Sequence, residues 1–285
     1  MADLKRLGEL KKFLRARRAA VNPARVGARP GGRRRTPGLR REEVAALANV
    51  SAAWYTWLEQ GRDIQMSHAA LERIAAALQL DASDRVYLMQ LSGVGHVELP
   101  ESKPDVTSEI QLILDRFVHT PSYAVNARMD VVAYNHLANL VYDFEGYKGP
   151  LSQNHVWRLF MDSKRRKIYP DWDGAARFIV GILRARYATH VGDPAFEELI
   201  QGLLHASEEF ATLWEQHHTA PLTGGSSTSE LTSRILGPLK VRATRLVLPD
   251  SPQYFLGVLL PLDERTNNAF IKFAKARFLP SARGR

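Results

Sequence analysis

Read for its periodicity, this 285-residue sequence is a mostly α-helical chain with a smaller β component. It divides into a helical domain at 1–92, a linker at 93–105 and an α+β domain at 106–285. Three observations carry this. Apolar residues recur at steps of three and four in several stretches of the first 91 positions. Ser92–Asp105 holds Gly93, Gly95, Pro100 and Pro104 with no periodicity, which is linker composition. Beyond it, short β-rich runs bracket a long helical middle.

The elements follow in order. Leu4, Leu7, Leu10, Phe13 and Leu14 mark one apolar face of a helix over Asp3–Ala20, with Asp3 as its cap and Lys5, Lys12, Arg15 and Arg18 opposite. Asn22–Leu39 is rich in Pro, Gly and Arg and reads as irregular. A helix resumes near Arg40, with Val44, Ala45, Leu47 and Ala48 as its buried face. Asn49-Val50 breaks it, Ser51 caps the next, and Gly61 stops that one. Ser67 and Asp81 open two more, making five. In the second half, Ile110, Ile113, Leu114 and Phe117 predict a helix, and Tyr123–Val125 and Asp130–Tyr134 predict short strands about a polar turn. Helices are expected near Asn135–Phe144, Gln153–Phe160, Asp171–His190, Pro194–Leu204 and Ser207–His217. Thr223–Ser229 reads as a Gly/Ser/Thr loop. Leu239–Leu248 and Gln253–Leu262, joined by Pro249-Asp250-Ser251-Pro252, read as a hairpin, and Glu264–Ala276 as a last helix. Helices are expected to cover one face of the sheet.

Charge is distributed unevenly. The chain carries 39 Lys and Arg against 30 Asp and Glu. Residues 1–41 hold 14 of the basic and 2 of the acidic groups, a net of +12, so the remainder is slightly acidic, at −3. A basic excess concentrated in one segment is the footprint of a polyanion-binding surface. The chain has no cysteine, which excludes disulfides, thiolate catalysis and Cys-ligated zinc, and it fits a reducing cytoplasm. No signal-peptide core or apolar run of membrane-spanning length occurs.

Arg41–Gly61, REEVAALANVSAAWYTWLEQG, is the informative segment. Two short helices across a tight break cross steeply, so small residues belong where they touch, at Ala45 and Ala48. Val44, Val50, Tyr55 and Leu58 fill the space beneath. Ser51, Ala52, Ala53, Thr56 and Trp57 then face outward at the start and along one side of the second helix, the end that enters a major groove. Arg33, Arg34, Arg35, Arg40 and Arg41 stand beside it as candidates for phosphate or minor-groove contact.

This spacing, with the Leu-Glu-Gln-Gly ending, resembles the lambda-repressor-like helix-turn-helix of the XRE regulators. PGGRRRTPGLRR at 30–41, MDVVAYN at 129–135 and VWRLFMD…YPDW at 156–172 are similar to the XRE regulators that carry an MmyB-like ligand-binding domain. The resemblance implies a PAS-like C-terminal domain and a small, lipid-like ligand. Where the family usually has Gly, this chain has Asn49, a residue that tolerates left-handed backbone. Where it usually has Arg, this chain has Trp57, which removes an expected DNA contact.

Aromatic residues interleaved with polar ones form the candidate ligand site: Tyr123, Tyr134, Trp157, Phe160 and Trp172, with Arg128, Asn135, His155, Arg158 and Arg177. An apolar pocket with a polar mouth suits an amphiphile such as a fatty acid, its carboxylate on an arginine or a hydroxyl. No resident cofactor, metal site or catalytic residue is predicted. No phosphate-binding loop, nucleophile elbow, zinc-binding or dinucleotide motif is present, and His217-His218 reads as a surface pair. The expected protein is a cytoplasmic, nucleoid-associated one-component transcription regulator, a homodimer on a palindromic operator in double-stranded DNA. The alternative is a DNA binder whose C-terminal domain only dimerises.

Overall fold

The computed structural model describes residues 2–26, 38–94, 106–221, 226–248, 251 and 253–276. They form two compact units: Met1–Val97 with Val180–Pro221, and Glu98–Ile179 with Leu222–Arg285.

The first unit begins with α1 (Ala2–Ala20), a 3-10 turn at Pro23–Val26, α2 (Arg41–Leu47), α3 (Ala52–Glu59), α4 (His68–Ala77) and α5 (Ala82–Ser92). The starts of α3, α4 and α5 are set locally. Ser51, Ser67 and Asp81 each accept a backbone N–H of the first turn, from Trp54, Ala70 and Asp84 respectively. Such caps are worth about 1 kcal/mol each. Leu7, Leu10, Phe13 and Leu14 of α1 are buried, as are Tyr55, Leu58, Leu71, Ile74, Tyr87 and Leu91, and α1 packs on α3 and α5. Phe13 and Tyr87 meet edge-on, with ring centroids 5.0 Å apart.

Some expectations for these helices are corrected. Asp3 lies inside α1, which already starts at Ala2. Leu4 is 76% exposed, one turn short of the packed stripe. Leu47 is exposed as well. At about 100° per residue it falls outside the arc spanned by Val44, Ala45 and Ala48.

The second unit holds α6 (Val106–Arg116), β1 (Ser122–Val125), β2 (Val131–Tyr134), α7 (His136–Tyr142), α8 (His155–Met161), the single turn α9 (Ser163–Arg166) and the start of α10 (Trp172–Tyr187). Val180–Tyr187 of α10, with α11 (Pro194–Ala206) and α12 (Glu208–Glu215), falls in the first unit. The chain then returns to the second unit with β3 (Ser226–Ser233), β4 (Gly237–Val247), β5 (Phe255–Pro261) and α13 (Glu264–Ala276). The strands make one antiparallel sheet, ordered β2-β1-β5-β4-β3. The expected β4–β5 hairpin is present.

Two expectations about the sheet are overturned. Ser226–Ser229 is not loop but the first half of β3, paired in register from Ser226↔Thr244 to Ser233↔Gly237. Its Ser/Thr sequence carries no apolar alternation because an edge strand is held by its backbone ladder. Helices also cover both faces of the sheet. Ala124, Ala133 and Leu256 share one face and pack on Ile110 and Leu114 of α6. Tyr123, on the other face, meets Tyr142 of α7 and His155 of α8. Opposite Tyr123 stands Gly257, where an added Cβ would lie 2.5 Å from the tyrosine Cζ. Gly257→Ala is expected to cost about 1–3 kcal/mol by overpacking, read as a lower melting temperature of the second unit. Among the described residues, no helix is long and apolar enough to cross a membrane.

Candidate DNA interface and ligand cavity

In the first unit, α2 and α3 meet across Ala48–Ser51. Asn49 holds φ at 50°, the left-handed turn expected of it, and the Val50 N–H donates to the Ala45 carbonyl at 3.0 Å. Val44, Ala45, Ala48, Tyr55 and Leu58 are buried, while Val50 is half-buried. Ser51, Ala52, Ala53 and Trp57 are exposed and Thr56 is half-buried. The Thr56 hydroxyl donates to the Ala52 carbonyl at 2.7 Å. The Trp57 ring lies beside the Arg62 guanidinium, 5.9 Å from ring centre to carbon. These α3 positions therefore stand together as one small-residue face edged by an aromatic and a cation.

The arginines divide. Arg40 is exposed at the start of α2, its N–H donating to Glu43 at 2.7 Å. Arg41 instead donates to Glu59 at 2.6 Å. Arg18, expected on an outer face, does the same at 2.5 and 3.1 Å. The fully buried Glu59 carboxylate also accepts from the Tyr55 hydroxyl at 3.3 Å. Arg33, Arg34 and Arg35 lie outside the described residues. Part of the basic head is thus spent inside the fold, where α1, α2 and α3 converge on one carboxylate.

A second polar knot lies in the same unit. Arg17 donates to Asp84 at 2.7 Å and to the His217 carbonyl at 2.6 Å, and the Thr219 hydroxyl donates to Asp84 at 2.6 Å. The fully buried Arg184 lies over the Trp214 ring at 3.8 Å and contacts His217 Nδ1 at 3.1 Å. His217, read from sequence as a surface residue, is buried; its neighbour His218 is exposed. Among the described residues, no cluster of His, Asp and Glu is placed to hold a metal.

In the second unit the predicted ligand residues fall into separate places. Tyr123, Tyr134 and His155 are brought together with Tyr142 and Phe144. Burial pushes the Tyr123 hydroxyl up to about 12. Phe160 and Trp172 form a distinct edge-on pair, centroids 5.5 Å apart. Asn135 is structural: its side chain caps α7, accepts from Ser122 and donates to the carbonyls of Phe117 and Thr120. Arg128 pairs with Asp130 at 2.8 Å, Arg177 is exposed, and Trp157 is half-buried.

Arg158 faces a cavity of about 390 Å³ between α7, the α8–α9 segment and β3. Leu140, Val141, Tyr142, Ile168 and Ile235 supply its apolar wall. Arg165, missed in the sequence, is 1% exposed and lies over the Tyr142 ring at 4.2 Å. It donates to the Tyr142 carbonyl at 2.8 Å and contacts His155 Nδ1 at 2.7 Å. Because arginine only donates, His155 Nδ1 must accept. Burial, then Arg165 and Arg158, hold the imidazole well below its ordinary pKa, so it is neutral. The signal for Arg165 lay in Lys164-Arg165-Arg166-Lys167, a run that reads as a solvated turn until one side chain folds inward.

Two family models match the chain. Residues 9–88 match a helix-turn-helix domain, and residues 106–270, more than half of the chain, match the MmyB-like transcription regulator ligand binding domain. The chain belongs to the MmyB-like transcription regulators. A comparison with curated proteins finds no relative that matches. As an MmyB-like regulator the chain joins a helix-turn-helix DNA-binding domain to a C-terminal α+β ligand-binding domain. Residues 180–221, inside the ligand-binding match, pack in the same unit as the helix-turn-helix. In this MmyB-like regulator, therefore, part of the sensor sequence is built into the DNA-binding unit.

Proposed function

We propose that this regulator is a one-component switch: α3 reads operator DNA, and an amphiphile in the second unit's cavity sets the affinity. The observation that carries the reading is the exposed face Ser51, Ala52, Ala53, Thr56 and Trp57 on the capped helix of a helix-turn-helix. Its small side chains let the helix backbone approach base edges closely, and the Trp57 ring suits a thymine methyl or a sugar. Arg33, Arg34, Arg35 and Arg40 hold phosphates or an adjacent minor groove. Arg41, tied to Glu59, orients α2 against α3 instead.

One helix-turn-helix covers little DNA. A homodimer with recognition helices about 34 Å apart, on a palindrome, supplies the rest. The ligand is an acid-ended amphiphile, fatty-acid-like in its tail, which lies on Leu140, Val141 and Ile168, while its acid end meets arginine. The five strands and their covering helices support a PAS-like reading of this domain. Ligand occupancy reaches the DNA-binding unit through α10, whose first half belongs to one unit and second half to the other. The protein works in the cytoplasm, on the nucleoid.

The salt dependence of DNA binding tests the DNA half. Each phosphate contact contributes about 0.9 to the slope of log K against log salt. Replacing Arg33, Arg34 and Arg35 with Ala is expected to flatten that slope by about 2–3; an unchanged slope overturns the assignment. DNA affinity measured with and without dodecanoate tests the sensor half, because coupling requires differential binding to two states. Binding of dodecanoate without any change in DNA affinity would leave the C-terminal domain as a dimerisation module.

A further inference from the structure

We infer that the cavity of the second unit is an oxyanion site for a ligand with a doubly charged acid end, a phosphate monoester, rather than the single carboxylate of a fatty acid. The inference rests on the reading of this cavity as the ligand site and narrows its chemistry.

Five cations line the cavity: Arg158, Lys164, Arg165, Lys167 and Arg234. Two carboxylates, Asp143 and Asp162, oppose them. The wall therefore carries three uncompensated positive charges. Lys164, Lys167 and Arg234 are exposed, and water screens them in part, so their attraction for an anion is weakened but not lost. Arg158 and Arg165 are not screened, at 3% and 1% exposure. Burying a guanidinium costs several kcal/mol unless a partner neutralises it.

Arg158 has such a partner, Asp162 at 3.0 Å, and also donates to the Asp143 carbonyl at 2.9 Å. Arg165 has none. Its acceptors are a backbone carbonyl and a neutral imidazole, and its faces lie on Tyr142 and Phe144. Three buried donor atoms on these two side chains, Arg158 Nε and Nη1 and Arg165 Nε, have no acceptor. Less than 1 Å² of each is accessible, so a bound oxyanion reaches them only after a side-chain shift. A monocarboxylate brings one charge and two oxygens. A phosphate monoester brings nearly two charges, a closer match than one charge to the excess on the wall. The apolar wall of Leu140, Val141 and Ile168 takes a short tail attached to it.

The experiment is calorimetric titration of the full chain, in phosphate-free buffer, with dodecyl phosphate, dodecanoate, dodecanol and inorganic phosphate. Dodecyl phosphate is expected to bind at least about tenfold more tightly than dodecanoate, with dodecanol weakest; one charge-assisted hydrogen bond supplies that factor. Arg165→Gln is expected to abolish the preference. Because Arg165 is buried, a Lys167→Gln/Arg234→Gln double variant, altered only at exposed positions, serves as the second probe and should lose about tenfold. Equal binding of inorganic phosphate and dodecyl phosphate keeps the oxyanion site and assigns it a tail-less ligand. Dodecanoate or dodecanol binding as tightly as dodecyl phosphate, or full affinity in the double variant, overturns this inference alone. No binding by any probe, with DNA affinity unmoved, overturns the ligand-site reading as well.

Discussion

A Glu59→Gln chain will melt far below the native protein and lose operator binding, although Glu59 never reaches the surface. Its side chain is fully buried and ties α1, α2 and α3 through Arg18, Arg41 and Tyr55. Glutamine fits the space but removes the charge and turns an NH2 toward donors. Arg18, 14% exposed, then keeps a desolvated charge without a counterion. Breaking a buried pair in this way costs about 3–5 kcal/mol. At about 3–4 °C per kcal/mol for a unit of this size, the head melts about 10–20 °C lower. Thermal unfolding followed by circular dichroism checks it, and a midpoint within a few degrees of the native value would show that the hub carries no net energy. The acid limb of stability should share this origin. Burial pushes the Glu59 carboxyl up, but Arg18 and Arg41 outweigh burial and hold it below the usual range. The contribution is therefore complete above about pH 4.3, the unfolded value, and fades as pH falls through the folded one.

Glu59 also shows what sequence alone conveys. The helix-turn-helix is legible because its determinants are local: Ser51 three residues before Trp54, Asn49 at a left-handed turn, small residues at the crossing. Arg18 and Arg41 lie 41 and 18 residues from Glu59. Nothing in the spacing distinguishes their ion pairs from phosphate contacts, so part of the basic face turns inward unannounced. The candidate ligand cavity is obscured in the same way. The aromatic group was visible as a cluster, but its members separate into a packed core around Tyr123 and a pair at Phe160 and Trp172. The cavity belongs to Arg165, hidden in a basic run, and to β3, whose polar sequence conceals a strand.

The DNA-binding unit should also lose stability on mild acidification, and His217 is the reason. Arg184 donates to His217 Nδ1, and Arg17 donates to its carbonyl. A proton on Nδ1 would face a guanidinium. Burial, then Arg184, Lys12 and Arg17, lower the imidazole to about 3. Nearby Glu9 and Asp84 do not offset this, because Arg184 and Arg17 stand against them. Below pH 6.5 the unfolded chain therefore takes up a proton that the folded unit refuses. Stability falls by about 1.4 kcal/mol per pH unit between 6.5 and roughly 3, or about 2 kcal/mol by pH 5. His217→Gln should flatten that slope between pH 5 and 6.5, a window above ordinary carboxylate titration. His155 is held neutral in the second unit and adds a slope of the same sign there. The readout must therefore be local: hydrogen exchange of the α5 and α12 amides. If the native α12 amides keep their protection from pH 6.5 to 5, then His217 accepts its proton while folded. The Arg184-to-Nδ1 bond, and with it the attachment of 180–221 to the DNA-binding unit, would then be wrong.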